Sequence, residues 1–198
     1  MKIVQTERVL DVGGFAKTGQ WKTIEKQIHK AIKAIQWPPD SGSFTLYDES
    51  GKKRGQGNGV KPIKDACVLH LVDIGWTAEK ILLKRIGGFD VALPVGQKFF
   101  VLEWETGNIS SSHRAINKMC LGLLNETLIG GVLVVPTRTM YKYLTDRVGN
   151  FAELEPYFPF WGRCPVKEGL LAVIAIEHDG VSRNVPRIPK GTDGRALL

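Results

Sequence analysis

Asp90 and, a dozen residues later, Glu103-Trp104-Glu105 are the residues in this chain best suited to chemistry. Each acid sits in an apolar, strand-like run: Phe89-Asp90-Val91-Ala92-Leu93, then Phe99-Phe100-Val101-Leu102-Glu103-Trp104-Glu105. The intervening Pro94-Val95-Gly96-Gln97-Lys98 reads as a hairpin turn. A hairpin folded about Gly96-Gln97 sets Asp90 opposite Glu103. Side chains alternate along a strand, so Glu103 and Glu105 share one face and Trp104 points the other way. Three carboxylates on one patch repel one another unless a cation neutralises them. Their oxygen donors suit a hard divalent cation such as magnesium, as one or two ions.

That arrangement predicts phosphodiester hydrolysis. Asp90 and Glu103 are the expected metal ligands, and Glu105 would orient or deprotonate the attacking water. No Gly-x-x-x-x-Gly-Lys loop is present to hold a nucleotide for phosphoryl transfer. No Ser-His-Asp set can be read from the order of the chain.

The rest of the composition fits a polyanionic substrate. The 198 residues carry 27 Lys and Arg against 20 Asp and Glu, a net charge of +7. A solvated basic surface explains this, and so does a phosphate backbone bound through counterion release. The length predicts a single domain over 1–198. Cys67, Cys120 and Cys164 are widely spaced and odd in number, which argues against a disulfide framework or a zinc site. No charged-then-apolar leader opens the sequence, and its apolar runs are much shorter than a membrane span. A soluble, cytoplasmic protein is expected.

The elements that must position the acids follow from periodicity. Trp21, Ile24, Ile28, Ala31, Ile32 and Ile35 predict a helix over 20–36, stopped by Pro38-Pro39. Residues 38–60 read as a loop with a short hairpin at 44–47. Within it, 48–60 is a flexible basic stretch whose Lys53 and Arg54 could reach a phosphate backbone. A second helix is expected over 61–75, with Ile63, Cys67, Leu71 and Ile74 on one stripe. The run 78–86 is ambiguous. After Gly107-Asn108, Ser110, Ser111 or Ser112 can cap a helix to about Leu124 that buries Ile116, Met119, Cys120, Leu123 and Leu124. A strand at 128–135, a helix at 138–148 capped by Thr137, and a buried strand at 170–177 complete the order. Residues 181–198 form a polar, basic tail. The pattern predicts an α/β fold, a mixed β-sheet flanked by helices.

The helix that follows the acids carries Ser111, Ser112, His113, Arg114, Asn117 and Lys118 near its start. A helix N-terminus favours phosphate, so these six are the expected DNA-binding residues.

Asp90 followed by Glu103-Trp104-Glu105 resembles the PD-(D/E)xK nuclease core in the form found in BamHI- and BglII-type type II restriction endonucleases. Most of the superfamily carries Lys where Glu105 stands, whereas this branch carries Glu or Gln. Gln20 to Lys26 is similar to the family's opening helix, and Asn58, Ile63-Lys64 and Gly75-Trp76 to the segment before its catalytic hairpin. Residues 171–176 fit its last strand. The resemblance implies a restriction-endonuclease-like core and a homodimer that cuts short palindromic sites in double-stranded DNA with magnesium. It also implies a cognate DNA methyltransferase in the same cell. It further implies a glutamate from an upstream helix near the site, for which Glu25 is the candidate and Glu79 its competitor. A repair or junction-resolving nuclease would normally keep the lysine. A DNA-binding protein without catalysis would not need the three acids intact.

Overall fold

The hairpin bearing Asp90 and Glu103 is part of a six-stranded sheet. The computed structural model describes residues 1–53, 55–83, 87–145 and 148–190. Its strands are β1 (Lys2–Val12), β2 (Thr45–Tyr47), β3 (Thr77–Leu83), β4 (Gly87–Val95), β5 (Lys98–Trp104), β6 (Leu128–Pro136), β7 (Gly169–Glu177) and β8 (Gly180–Ser182). The long helices are α1 (Gly19–Lys33), α2 (Lys61–Asp73) and α3 (Ile109–Leu124). Single helical turns follow at α4 (Arg138–Tyr141), α5 (Phe151–Leu154) and α6 (Phe158–Trp161). The large sheet has the order β1-β7-β6-β5-β4-β3, and β2 pairs with β8 separately. The central strands β5, β6 and β7 are parallel, and β1, β4 and β3 are added antiparallel.

Helices cover both faces, which is why β6 and β7 are almost continuously apolar and buried. On one face, Trp21, Ile24, Ile28 and Ile32 of α1 and Cys67 and Leu71 of α2 pack on Phe100, Leu102, Trp104, Val132 and Val134. Burying each of those isoleucines is worth about 1.5–3 kcal/mol. On the other, Ile116, Met119 and Leu123 of α3, with Phe151 and Trp161, pack on Val101, Leu133 and Val173. A Cβ on Gly131 would lie 2.8 Å from Met119 Sδ, so glycine there lets α3 seat closely on β6. Among the described residues, no helix is long and apolar enough to cross a membrane.

Several expectations need correction. Residues 44–47 do not form a hairpin; β2 pairs in parallel with β8 from the chain's far end. The helix expected at 138–148 is one turn, α4. Beyond it the backbone bonds to the 48–60 loop instead, with Asn58 N donating to Tyr143 O and Thr145 N to Asn58 O; residues 146–147 lie outside the described residues. The ambiguous run is β3, with 84–86 also outside. Ile74 and Leu124 are exposed rather than on buried stripes. Asn108, not a serine, caps α3, its side chain accepting from Ser110 N and Ser111 N. The N-terminal strand β1 was not anticipated.

The side chain of Asn58 is fully buried and makes four bonds, to Tyr47 N and O, Tyr143 O and Ile188 N. Arg187 pairs with Glu49 at 3.0 Å. Loop and tail are thus joined at their described ends; Arg54 and residues 191–198 lie outside the described residues.

Candidate active site

The β4–β5 ladder pairs Val91 with Leu102 and Val95 with Lys98, so Asp90 comes opposite Glu103. Asp90 Oδ2 accepts the backbone N–H of Trp104 at 2.8 Å. Its other oxygen accepts from Lys64 Nζ of α2 at 3.2 Å. Burial works against the Lys64 charge, but Asp90 outweighs it and raises the ammonium's pKa. Glu103 is paired with Lys118 of α3. Glu103 Oε1 is buried, and the Lys118 ammonium sits directly on it as its cation. The Lys118 ammonium also donates to Gly88 O and lies 4.4 Å from the centre of the Phe89 ring.

Glu105 stands on the same face, where β5 gives way to the Gly107-Asn108 turn. One carboxylate oxygen accepts from Gly107 N at 2.6 Å, and the other accepts from the Ser112 hydroxyl. A Cβ on Gly149 would lie 2.2 Å from Ser112 Oγ, so glycine lets that chain close over the pair. Burial pushes the Glu105 carboxyl up to about 7 against the pull of Ser112 and Gly107. Glu103 is likewise pushed up to about 7, by burial and then by Asp90, with Lys118 opposing.

A cleft takes in Asp90, Glu103, Glu105, Ser111, Arg114 and Lys118. Of the residues expected to bind DNA, Ser111, Arg114 and Lys118 therefore meet the three acids, and Ser112 is buried against Glu105. His113 and Asn117 do not line the cleft. His113 packs edge-on against Tyr157 with ring centres 4.5 Å apart, and Asn117 accepts from Trp161 Nε1 at 2.9 Å. Lys53 is exposed on its loop and does not line it either.

Glu25 is elsewhere too. It sits on α1 among Lys22, Lys26, His29 and Lys30, reaching Arg8 at 4.0 Å. The β3–β4 pairing sets Glu79 across from Asp90, because Ala78 pairs with Val91 and Lys80 with Phe89. Glu79 has a φ of 49°, a left-handed conformation uncommon outside glycine. In the sequence Lys64 stands out only as part of a segment, and Lys118 as a DNA-binding residue rather than the partner of Glu103.

Among the described residues, no three carboxylate, imidazole or thiol groups converge closely enough to cage a metal by themselves. Asp90 and Glu103 instead make a two-carboxylate site, with the Lys118 ammonium on Glu103 Oε1. Magnesium is commonly held by one or two carboxylates, with water and substrate phosphate completing its shell, so the donor set fits.

A model of the restriction endonuclease BamHI family matches residues 1–195. The chain is 52% identical over 178 residues to the type II restriction enzyme OkrAI of Oceanobacter kriegii, covering 88% of this chain and 89% of that enzyme. It is 38% identical over 179 residues to the type II restriction enzyme BamHI of Bacillus amyloliquefaciens, covering 85% and 80%. The crystal structure of the restriction endonuclease BglII complexed with a DNA 16-mer superposes with a TM-score of 0.61, over 90% of this chain and 79% of that one. At 10% identity, this is a likeness of fold. With two relatives above 30% identity along most of its length, the chain belongs to the BamHI family: it is a type II restriction endonuclease, a site-specific deoxyribonuclease.

Proposed function

We propose that a two-fold homodimer of this chain cuts both strands of duplex DNA at a short palindrome, and that magnesium is the divalent metal it uses. One observation carries the reading: Asp90 and Glu103 oppose each other across the β4–β5 ladder, with Glu105 on the same face of a cleft that also holds Ser111 and Arg114. Asp90 and Glu103 hold the metal, one or two ions per site. When bound, it polarises the phosphoryl oxygen and offsets charge on the leaving oxygen. Glu105, raised to about 7, takes the proton from the attacking water near neutral pH. Ser112 and Gly107 N hold its carboxylate in place. Glu79, rather than Glu25, is the upstream glutamate nearest this geometry.

Arg114 reads a base edge, while Ser111 positions the backbone. Lys53, exposed on its loop, would contact the phosphate backbone away from the cleft. His113 and Asn117 hold α3 against α6.

The dimer proposal also draws on the surface. Leu121, Leu124, Pro159 and Phe160 line one groove, and Phe160 is 74% exposed. An apolar patch beside α3 suits an isologous contact with a second copy. Ile109 and Ile116 pack into the core and are not part of it. The enzyme acts in the cytoplasm beside a cognate DNA methyltransferase that protects the host's own sites. Digestion of a mixed DNA with magnesium, followed by sequencing of the fragment ends, tests the reading: one recurring palindrome at the ends supports it, and random ends contradict it.

A further inference from the structure

Each of the two proposed metal ligands already has a lysine as its cation: Lys64 on Asp90 and Lys118 on Glu103. The two pairs differ. Lys64 makes a directed hydrogen bond to Asp90 and is 21% exposed, so it can stay alongside a ligating carboxylate. Lys118 is 10% exposed and sits directly on Glu103 Oε1, a buried carboxylate oxygen. Its other anchors, Gly88 O and the Phe89 ring, are both on β4. The ammonium therefore lies between the two strands that carry the ligands, on the oxygen a divalent ion would need.

We infer that Lys118 is an internal counter-ion that occupies the Glu103 coordination position in the metal-free protein and must leave it before a divalent cation can bind. The inference rests on the proposed roles of Asp90 and Glu103. Two cations cannot share one buried carboxylate oxygen without strong repulsion. The lysine has somewhere to go. Arg114 stands one helical turn before Lys118 on the same side of α3, and both line the cleft. A flexible four-carbon stem lets the ammonium swing towards that mouth, where a DNA phosphate would receive it. DNA would then draw Lys118 off Glu103 and raise the affinity for metal. The free enzyme would hold metal weakly, and the complex tightly.

The test measures metal binding without DNA or turnover, by calorimetric titration of the full chain with manganese or calcium. Lys118→Gln should bind at least about tenfold more tightly than wild type, the least expected from removing a competing buried cation. Lys118→Arg, which keeps the charge, should stay weak. Because Lys118→Gln leaves Glu103 uncompensated and could fold poorly, wild-type protein supplies a second measurement. Acylation of Lys118 by an amine-reactive reagent, read by mass spectrometry, should be slow in metal-free protein and faster with calcium. Equal or weaker metal binding by Lys118→Gln, with binding still abolished by Asp90→Asn, overturns the inference and leaves the metal site standing. Labelling of Lys118 that does not change with calcium, while calcium still binds, also overturns it. Metal binding that is indifferent to Asp90→Asn overturns both.

Discussion

The side chain of Asp90 accepts the backbone N–H of Trp104 at 2.8 Å, so one carboxylate of the site is positioned by the strand segment that carries the other two. Asparagine can keep that bond through its carbonyl oxygen, while alanine leaves the N–H without its partner. Asp90→Ala should therefore destabilise the metal-free protein more than Asp90→Asn, by about 1 kcal/mol. Urea unfolding of the two variants checks this, and equal midpoints would mean that the bond contributes nothing.

The Ser112 hydroxyl donates to Glu105 and favours its ionised form. That bond lowers a carboxyl that burial has pushed up to about 7. In Ser112→Ala the Glu105 pKa should rise further, and the alkaline rise of kcat/KM should move to higher pH. A loss of rate with an unmoved pH profile would make Ser112 a packing residue only.

The same shift makes stability depend on pH. The Glu105 carboxyl, ordinarily 4.5, is pushed up to about 7 in the folded protein. The folded state therefore binds more protons between those values, and this contribution is fully present below about 4.5 and lost as pH rises through about 7. Metal-free protein should lose stability from pH 5 to pH 8, and Glu105→Gln should reduce that loss. Denaturant titrations at the two pH values decide it; an identical loss in the variant would contradict the assignment.

Arg114 is the exposed base nearest the acids on α3. If it reads a guanine edge, Arg114→Ala should cost about 1–3 kcal/mol against the correct site and relax sequence choice. Competition binding with single-base variants of the site measures this. A uniform loss across all sequences would make Arg114 a phosphate contact.

How much of this was legible in the chain follows from what each residue does. The β4–β5 hairpin and the shared face of Glu103 and Glu105 could be read because a two-residue period fixes them once the turn is located. β6 and β7 were clear because burial on both faces leaves long apolar runs. β1 and β3 were obscure for the opposite reason: they are edge strands, largely exposed and charged, as edges tend to be. The pairing of β2 with β8 depends on contacts across more than a hundred residues, which no local pattern encodes. Polarity alone could not separate His113 and Asn117 from Arg114, since only the packing of α6 determines which polar residues of α3 face the cleft. Glu25 lies on a helix the periodicity reveals, but that helix packs on Leu102 and Trp104, on the sheet face opposite Glu103.

The apolar groove beside α3 gives the proposed dimer a direct check. Leu121→Asp puts a charge in it without touching the core, because Leu121 is 42% exposed. Sedimentation should show this variant as a monomer under conditions where wild type is a dimer. A variant that remains dimeric would move the interface elsewhere.

The most direct test of the account is a plasmid digest with magnesium that compares wild type with Asp90→Asn. Asparagine keeps the shape of the site and removes one charge of the proposed metal site, while the Lys and Arg side chains expected to supply most DNA affinity are unchanged. The account predicts discrete bands from wild type, cleavage by Asp90→Asn reduced by about 10²–10³ or more, and DNA affinity within a few-fold of wild type. Wild-type rates of cleavage by Asp90→Asn would show that the metal and the chemistry lie elsewhere.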